Sequence, residues 1–344
     1  EIPLRLVGSE MCIRDSYKRS VKKRTYENRI SSMRIHFAYF YNTKLKDINA
    51  PMMKKWQNGL AENYSNAYIR NIYGLFQKSL DLAVKLGLLN KNVAKQVGNV
   101  KKQKKKIDFW TQKEFEKVIS TFDISDYYEH YTFIIIWLLF MTGLRLGEAQ
   151  ALEWTDINFE DKTLTVSKSM YYKSANEFYV TEPKTRAGNR TIALDDVTIS
   201  YLAEWKSVQG RNVVSKYVLS YNGLPTNKST TKHIIERHSK LAGVHTIKTH
   251  ALRHSHASLL ISLGENAIVV RDRLGHEDVE TTLGTYGHLY PNTNIEVAKK
   301  LNNLISVKKD DTITRNFISN QFVKNRQSGC NNISLDCEEK EWDS

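Results

Sequence analysis

The apolar positions of the chain recur mostly at helical spacing. Tyr68, Ile72, Leu75, Phe76, Leu82, Ala83 and Leu86 share one helical face, with Arg70, Lys78 and Lys85 interleaved. The pattern runs from about Tyr17 to Val97, broken by turn-like pieces at Asn42-Thr43 and Asn49-Ala50-Pro51, and predicts a small all-helical domain. The run Phe133–Met141 is apolar throughout and about half the length of a membrane span, so it predicts a buried helix. Period-two alternation then takes over. Leu164 and Val166 alternate with Thr163, Thr165 and Ser167, and Phe178-Tyr179-Val180 and Arg190-Thr191-Ile192-Ala193-Leu194 follow. These predict three short antiparallel strands, the last two separated by a Gly/Asn turn over 183–189. Further helices are expected from Ser200 and from Thr231.

Three more helical pieces close the pattern. Thr249 is the expected N-cap of a helix whose apolar face is Leu252, Leu259, Leu260 and Leu263, closed by Gly264. A second, Ile268–Leu274, ends at Gly275. Val279, Leu283, Tyr286 and Tyr290 recur at i, i+4, i+7 and i+11 in the third. Beyond Pro291 a further amphipathic segment, Asn294–Ile305, carries Ile295, Ala298, Leu301, Leu304 and Ile305 on one side. The predicted class is mainly α with a small antiparallel β-sheet (α+β), in two domains.

At 344 residues there is room for two cores and a tail. Residues 1–16 fit no pattern and are expected to be a non-native or sequence-assembly scar. The helical domain is placed at 17–100, a basic linker at 101–108, the second domain at 109–290, a C-terminal helix at 291–306 and a polar, disordered tail at 307–344. Thr111 and Glu114, at the start of the second domain, have capping-box spacing.

Charge narrows the partners. Lys+Arg 51 against Asp+Glu 37 gives a formal +14, more than solubility needs, and points to a polyanion, nucleic acid before membrane. The linker run, with Lys101, Lys102, Lys104, Lys105 and Lys106, would lie on phosphates as well as in solvent. Three cysteines, near the ends, imply a reducing compartment and no disulfide framework. No Cys/His cluster has zinc spacing, and no metal or cofactor is expected.

The candidate chemistry lies in two stretches. His250 and Arg253, three apart on a helix, precede His276 at a helix terminus and Tyr286 ten residues on. An Arg, two His and a Tyr converging from short helices would hold a phosphodiester and attack it. The plainer reading of Tyr286 is an aromatic on a core stripe. Upstream, Arg145 follows the buried helix, with Glu148 three residues on as a supporting acid that orients the site's cations or as a simple ion-pair partner of Arg145. His254, His256 and His288 look like bystanders.

The set resembles the tyrosine recombinase (phage integrase) family. Thr142-Gly143-Leu144-Arg145-Leu146-Gly147-Glu148 is similar to the family's first catalytic motif, His250-x-x-Arg253 to the second, and Leu274-Gly275-His276 followed by Tyr286 to the last. The resemblance implies a helical core-binding domain before a catalytic domain, with Arg145, Lys184, His250, Arg253, His276 and the nucleophile Tyr286 as catalytic residues. Lys184, in Pro183-Lys184-Thr185, would protonate the leaving 5′ oxygen, with Arg186 as the competing cation, and His250 would take the phenolic proton. Cleavage and rejoining would pass through a 3′-phosphotyrosine without metal or ATP, in a homotetramer on double-stranded attachment sites. The helix at 291–306 would dock on a neighbouring protomer. The motifs look most like integrases of phages and conjugative elements of Gram-positive bacteria, which implies a cytoplasmic, nucleoid-associated protein working with a host bending factor and an excisionase. Their usual N-terminal arm-binding domain has no room before Tyr17 and is expected to be missing or truncated. The rivals are type IB topoisomerase-like relaxation and a catalytically silent DNA-binding descendant of an integrase.

Overall fold

The computed structural model describes residues 21, 23–103, 107–172, 177–183, 185–290, 298–299 and 301–302. Lys184, Lys104, Lys105, Lys106, the segments 1–16 and 307–344, and most of 291–306 lie outside the described residues. The chain divides into two compact units, Glu1–Lys106 and Ile107–Ser344.

The first unit is helical: α1 (Lys23–His36), α2 (Ala50–Asn63), α3 (Asn66–Lys85) and α4 (Val93–Val97). Each of the last three begins at a side chain that satisfies an otherwise orphan amide. Asn49 accepts from the Met52 N–H, Ser65 from that of Tyr68, and Asn92 from those of Ala94 and Lys95. The core is aromatic, with Phe37, Phe40, Trp56, Tyr73 and Phe76 buried together and the Phe37 and Phe76 rings edge-on at 4.8 Å. The buried face of α3 is Ile69, Ile72, Tyr73, Phe76, Leu80 and Ala83. Tyr68 and Leu86, which the periodicity placed on that face, are exposed, and the Tyr68 hydroxyl instead meets His36 Nε2 at 3.0 Å.

The second unit is built around one apolar helix. Its elements are α5 (Gln112–Ile119), α6 (Tyr127–Thr142), α7 (Leu146–Ala151), β1 (Ile157–Asn158), β2 (Thr163–Val166), β3 (Ser169–Tyr172), β4 (Phe178–Thr181), β5 (Arg190–Ala193), α8 (Asp196–Asn212), α9 (Lys228–Ala242), α10 (Ala251–Ser262), α11 (Ala267–Leu274) and α12 (Val279–Tyr286). The Thr111–Glu114 capping box starts α5. Residues 133–136 and 138–140 of α6 are all buried, so the helix is apolar around its circumference because it is surrounded by the rest of the unit. Among the described residues no helix is long and apolar enough to cross a membrane.

The strands pair differently from the three-stranded arrangement expected. β2 sits between β1 and β5, with Leu164 opposite Ile192 and Val166 opposite Arg190. The strand containing Phe178 joins no strand of that sheet. It pairs with Ser169–Tyr172 as a separate hairpin, Tyr172 opposite Phe178 and Ser169 opposite Thr181. Thr249 does not cap α10. His250 occupies that position, and the first amides are taken by the carbonyls of Lys248, Thr249 and His250 in a tight turn.

Candidate active site

The site forms where two helices end. α6 terminates at Gly143 in the left-handed conformation (φ +64°), and α11 terminates likewise at Gly275 (φ +66°). At Gly143 a Cβ would lie 2.6 Å from the His256 ring and 2.8 Å from Leu274, so the two ends close together only around a glycine. Helix ends leave carbonyls without partners and carry partial negative charge, which attracts cations. Arg253, on α10 and 2% exposed, supplies one: Nη1 donates to Gly143 O at 2.7 Å and Nη2 to Leu274 O at 2.6 Å. Arg145, just before α7, donates through Nη2 to Gly275 O at 3.2 Å. Both guanidinium groups therefore meet on the 274–275 turn, immediately before His276.

Glu148 provides the counter-charge. Its Oε1 accepts from Arg145 Nη1 at 2.8 Å, and its Oε2 from the Arg145 amide at 3.0 Å and from Arg190 Nη2 at 2.9 Å. The carboxylate is 4% exposed. Burial alone would raise its pKa, but Arg190 and Arg145 outweigh burial and hold it below the usual carboxylate range. Arg253 is pushed down to about 9 by burial and by Arg145, which leaves it charged at neutral pH. The local field is strongly positive, as an anion-binding site requires.

Burial and that field lower the pKa of each histidine at the site. His276 is pushed down to about 4 by burial, then by Arg253, Arg145 and Arg190, and its Nδ1 lies 2.9 Å from the buried Thr282 hydroxyl. His254 is pushed down to about 4 by burial, His250 and Arg253. His250, at the solvent edge, is lowered by burial of part of its ring and by Arg253 and Arg145. Tyr286 is 1% exposed and packs against Ala257, Ile261, Val270 and Leu274. Of the stripe that held it, Leu283 is exposed, so α12 buries Tyr286 and Thr282 rather than a continuous apolar face. Burial pushes the phenol up to about 12, with Arg253 opposing. Its hydroxyl lies 2.7 Å from His254 Nδ1. His250 makes edge-on ring contact with His254 at 5.0 Å.

The structure thus brings Arg145, Glu148, Arg253 and His276 around one turn and sets Tyr286 beside the same helix, in contact with His254 rather than His250. Lys184 lies outside the described residues. Lys101 and Lys102 are exposed. Sequence reasoning passed over His254, Arg190 and Thr282. The i,i+4 spacing of His250 and His254 on one helical face was a usable signal for the first, whereas Arg190 and Thr282 are brought in only by tertiary contacts. Among the described residues no group of three or more His, Cys, Asp or Glu side chains is placed to hold a metal.

The chain is similar to known proteins over most of its length. Residues 108–293 match the model of the phage integrase family. The ICEBs1 integrase of Bacillus subtilis (strain 168) is 33% identical over 294 residues, covering 83% of this chain and 79% of that protein. Among solved structures, the Tn1549 transposon integrase in complex with transposon right-end DNA superposes with a TM-score of 0.71 at 20% identity, over 85% of this chain and 96% of that one. A lambda integrase tetramer bound to a Holliday junction gives 0.64 at 17% identity, over 86% and 79%. The chain belongs to the phage integrase family of tyrosine recombinases.

Proposed function

We propose that this site-specific recombinase cleaves and rejoins double-stranded DNA at attachment sites of a mobile element or prophage, with Tyr286 as the nucleophile. The observation that carries the reading is the meeting of Arg145 and Arg253 on the 274–275 turn beside His276. A phosphodiester repels nucleophiles and its alkoxide leaves poorly. Two fixed guanidinium groups answer the first difficulty, because each has five N–H groups and keeps some beyond those held by Glu148 and by the Gly143, Leu274 and Gly275 carbonyls, and bonds from these to phosphate oxygens strengthen as charge builds in the transition state. Where the Thr282 hydroxyl donates to Nδ1, neutral His276 carries its proton on Nε2 and donates a further bond from there.

The phenol must lose its proton to attack. Its rise to about 12 costs about 3 kcal/mol relative to an ordinary tyrosine. A neutral imidazole waits at 2.7 Å, so we assign the base function to the His254–His250 pair, with His254 the member in contact. Tyr286 Oη then bonds to phosphorus as the P–O5′ bond breaks, and Lys184 protonates the departing oxygen. The phosphotyrosine conserves the bond energy, and attack by a 5′ hydroxyl reverses the steps, with neither metal nor ATP.

The tetramer and dimer assemblies of lambda integrase on DNA support a homotetramer exchanging strands here, acting in the bacterial cytoplasm on nucleoid DNA with a host bending factor and an excisionase. Within this reading the segment 17–100 is a core-binding domain, 109–290 the catalytic domain, and 291–306 the segment that engages a neighbouring protomer. Incubation with nicked attachment-site DNA tests the reading: a denaturation-resistant protein–DNA adduct forms in the presence of EDTA. No adduct, or one that needs metal, would overturn it.

A further inference from the structure

Arg190, the first residue of β5, has a side chain that is 7% exposed and uses all three of its nitrogens on different segments. Nε donates to Arg273 O at 2.8 Å in the last turn of α11, Nη1 to Gly188 O at 3.1 Å in the turn that follows Pro183, and Nη2 to Glu148 Oε2 at 2.9 Å on α7. Its side chain also fills the space beside Gly275. A Cβ built there would lie 2.9 Å from Arg190 Nη1, 3.0 Å from Arg190 Cδ and 2.7 Å from Ala187 O. That glycine's carbonyl is the one that receives Arg145. The turn itself is packed closely, since a Cβ at Gly188 would lie 2.5 Å from Pro183.

We propose that Arg190 is a positioning residue of the recombination reaction, acting through Glu148 and the 274–275 turn. Glu148 is a buried carboxylate shared by two guanidinium groups. With Arg190 taking one oxygen, the carboxylate is balanced, and Arg145 keeps N–H groups for a phosphate. Without it the buried charge faces Arg145 alone, in surroundings where attraction is little screened, and Arg145 is drawn onto the acid instead of the substrate. The same side chain ties the turn after Pro183 to the end of α11, so it also fixes that turn relative to His276. The proposal rests on the recombinase reading given above.

The test is single-turnover cleavage of nicked attachment-site DNA by wild type, Arg190→Met, Arg190→Lys, Glu148→Gln and the double variant Arg190→Met/Glu148→Gln, with DNA affinity and melting temperature measured alongside. Arg190→Met is expected to bind DNA as wild type does and to cleave about 100-fold more slowly, the scale of a small misplacement of reacting groups, while Arg190→Lys recovers part of the rate. The distinguishing result is the double variant: removing the unbalanced carboxylate makes it cleave several-fold faster than Arg190→Met. Wild-type rates in Arg190→Met, affinity falling in step with rate, or a double variant no faster than the single would each overturn the proposal. If Arg190→Met does not fold, Arg190→Gln with and without Glu148→Gln gives the same comparison. A wild-type protein that forms no adduct defeats the functional reading, and this inference with it, whereas a normal wild-type adduct with an indifferent Arg190 defeats the inference alone.

Discussion

Tyr286 Oη lies 2.7 Å from His254 Nδ1, and the two residues come from different helices, α12 and α10. The contact joins a phenol that burial makes harder to ionise to an imidazole that burial keeps uncharged. Replacing His254 by Ala is expected to slow adduct formation by about 100-fold or more, the usual contribution of a positioned base, with DNA affinity unchanged. Single-turnover rates at saturating DNA check this. A His254→Ala protein as fast as wild type, with His250→Ala slow, would move the base function wholly to His250.

The buried and half-buried histidines set an acid limit on stability. His238, His254 and His276 are pushed down to about 4 and His256 to about 3, burial being the largest cause in each. Between about pH 6.5 and 4 the unfolded chain binds protons that the folded chain refuses, so stability is present above that window and is lost as pH falls through it. The melting temperature of the second unit is expected to drop between pH 7 and pH 5. A flat or rising trend would contradict the burial assigned to these rings.

Gly275 and Gly264 separate strain from collision. Both have positive φ, but a Cβ at Gly264 meets nothing within 4 Å while one at Gly275 meets Ala187 and Arg190. Substitution by Ala costs about 1–2 kcal/mol at either position for the left-handed backbone. Gly275→Ala is expected to lose more melting temperature than Gly264→Ala and also to slow cleavage, because the loop carrying His276 must shift. Equal melting temperatures with equal cleavage would show that Arg190 yields without consequence.

The linker lysines are expected to contribute charge without sequence preference. Neutralising Lys101, Lys102, Lys104, Lys105 and Lys106 should flatten the log–log dependence of DNA affinity on salt by about 0.9 for each phosphate that is no longer neutralised, equally for specific and random DNA. Gel shifts over a salt series measure this, and weakening confined to the specific site would mean that these side chains read bases.

How much of this was legible in the chain depends on the range of the interaction responsible. The apolar run of α6, its glycine stop and the arginine beyond it follow from local rules, and so does the capping box at Thr111. The periodicity of α3 puts Tyr68 and Leu86 on its buried face, because an amphipathic tyrosine and a leucine at a helix end satisfy the period without being buried. The pairing of Phe178 with Tyr172 instead of with the central sheet is a choice between partners that alternation alone does not rank. At the site, the charged residues that meet carbonyls of helix ends were visible as motifs. Arg190 and Thr282 were not, since nothing near them in sequence marks what they touch.

The central claim is that Tyr286 is the nucleophile. Its most direct test is peptide mapping of the covalent adduct trapped on nicked attachment-site DNA, carried out with wild type and Tyr286→Phe. The expected result is a phosphotyrosine at Tyr286 in wild type, with no adduct and undiminished DNA binding in Tyr286→Phe. A phosphotyrosine at Tyr290, or an adduct that survives Tyr286→Phe, would contradict it.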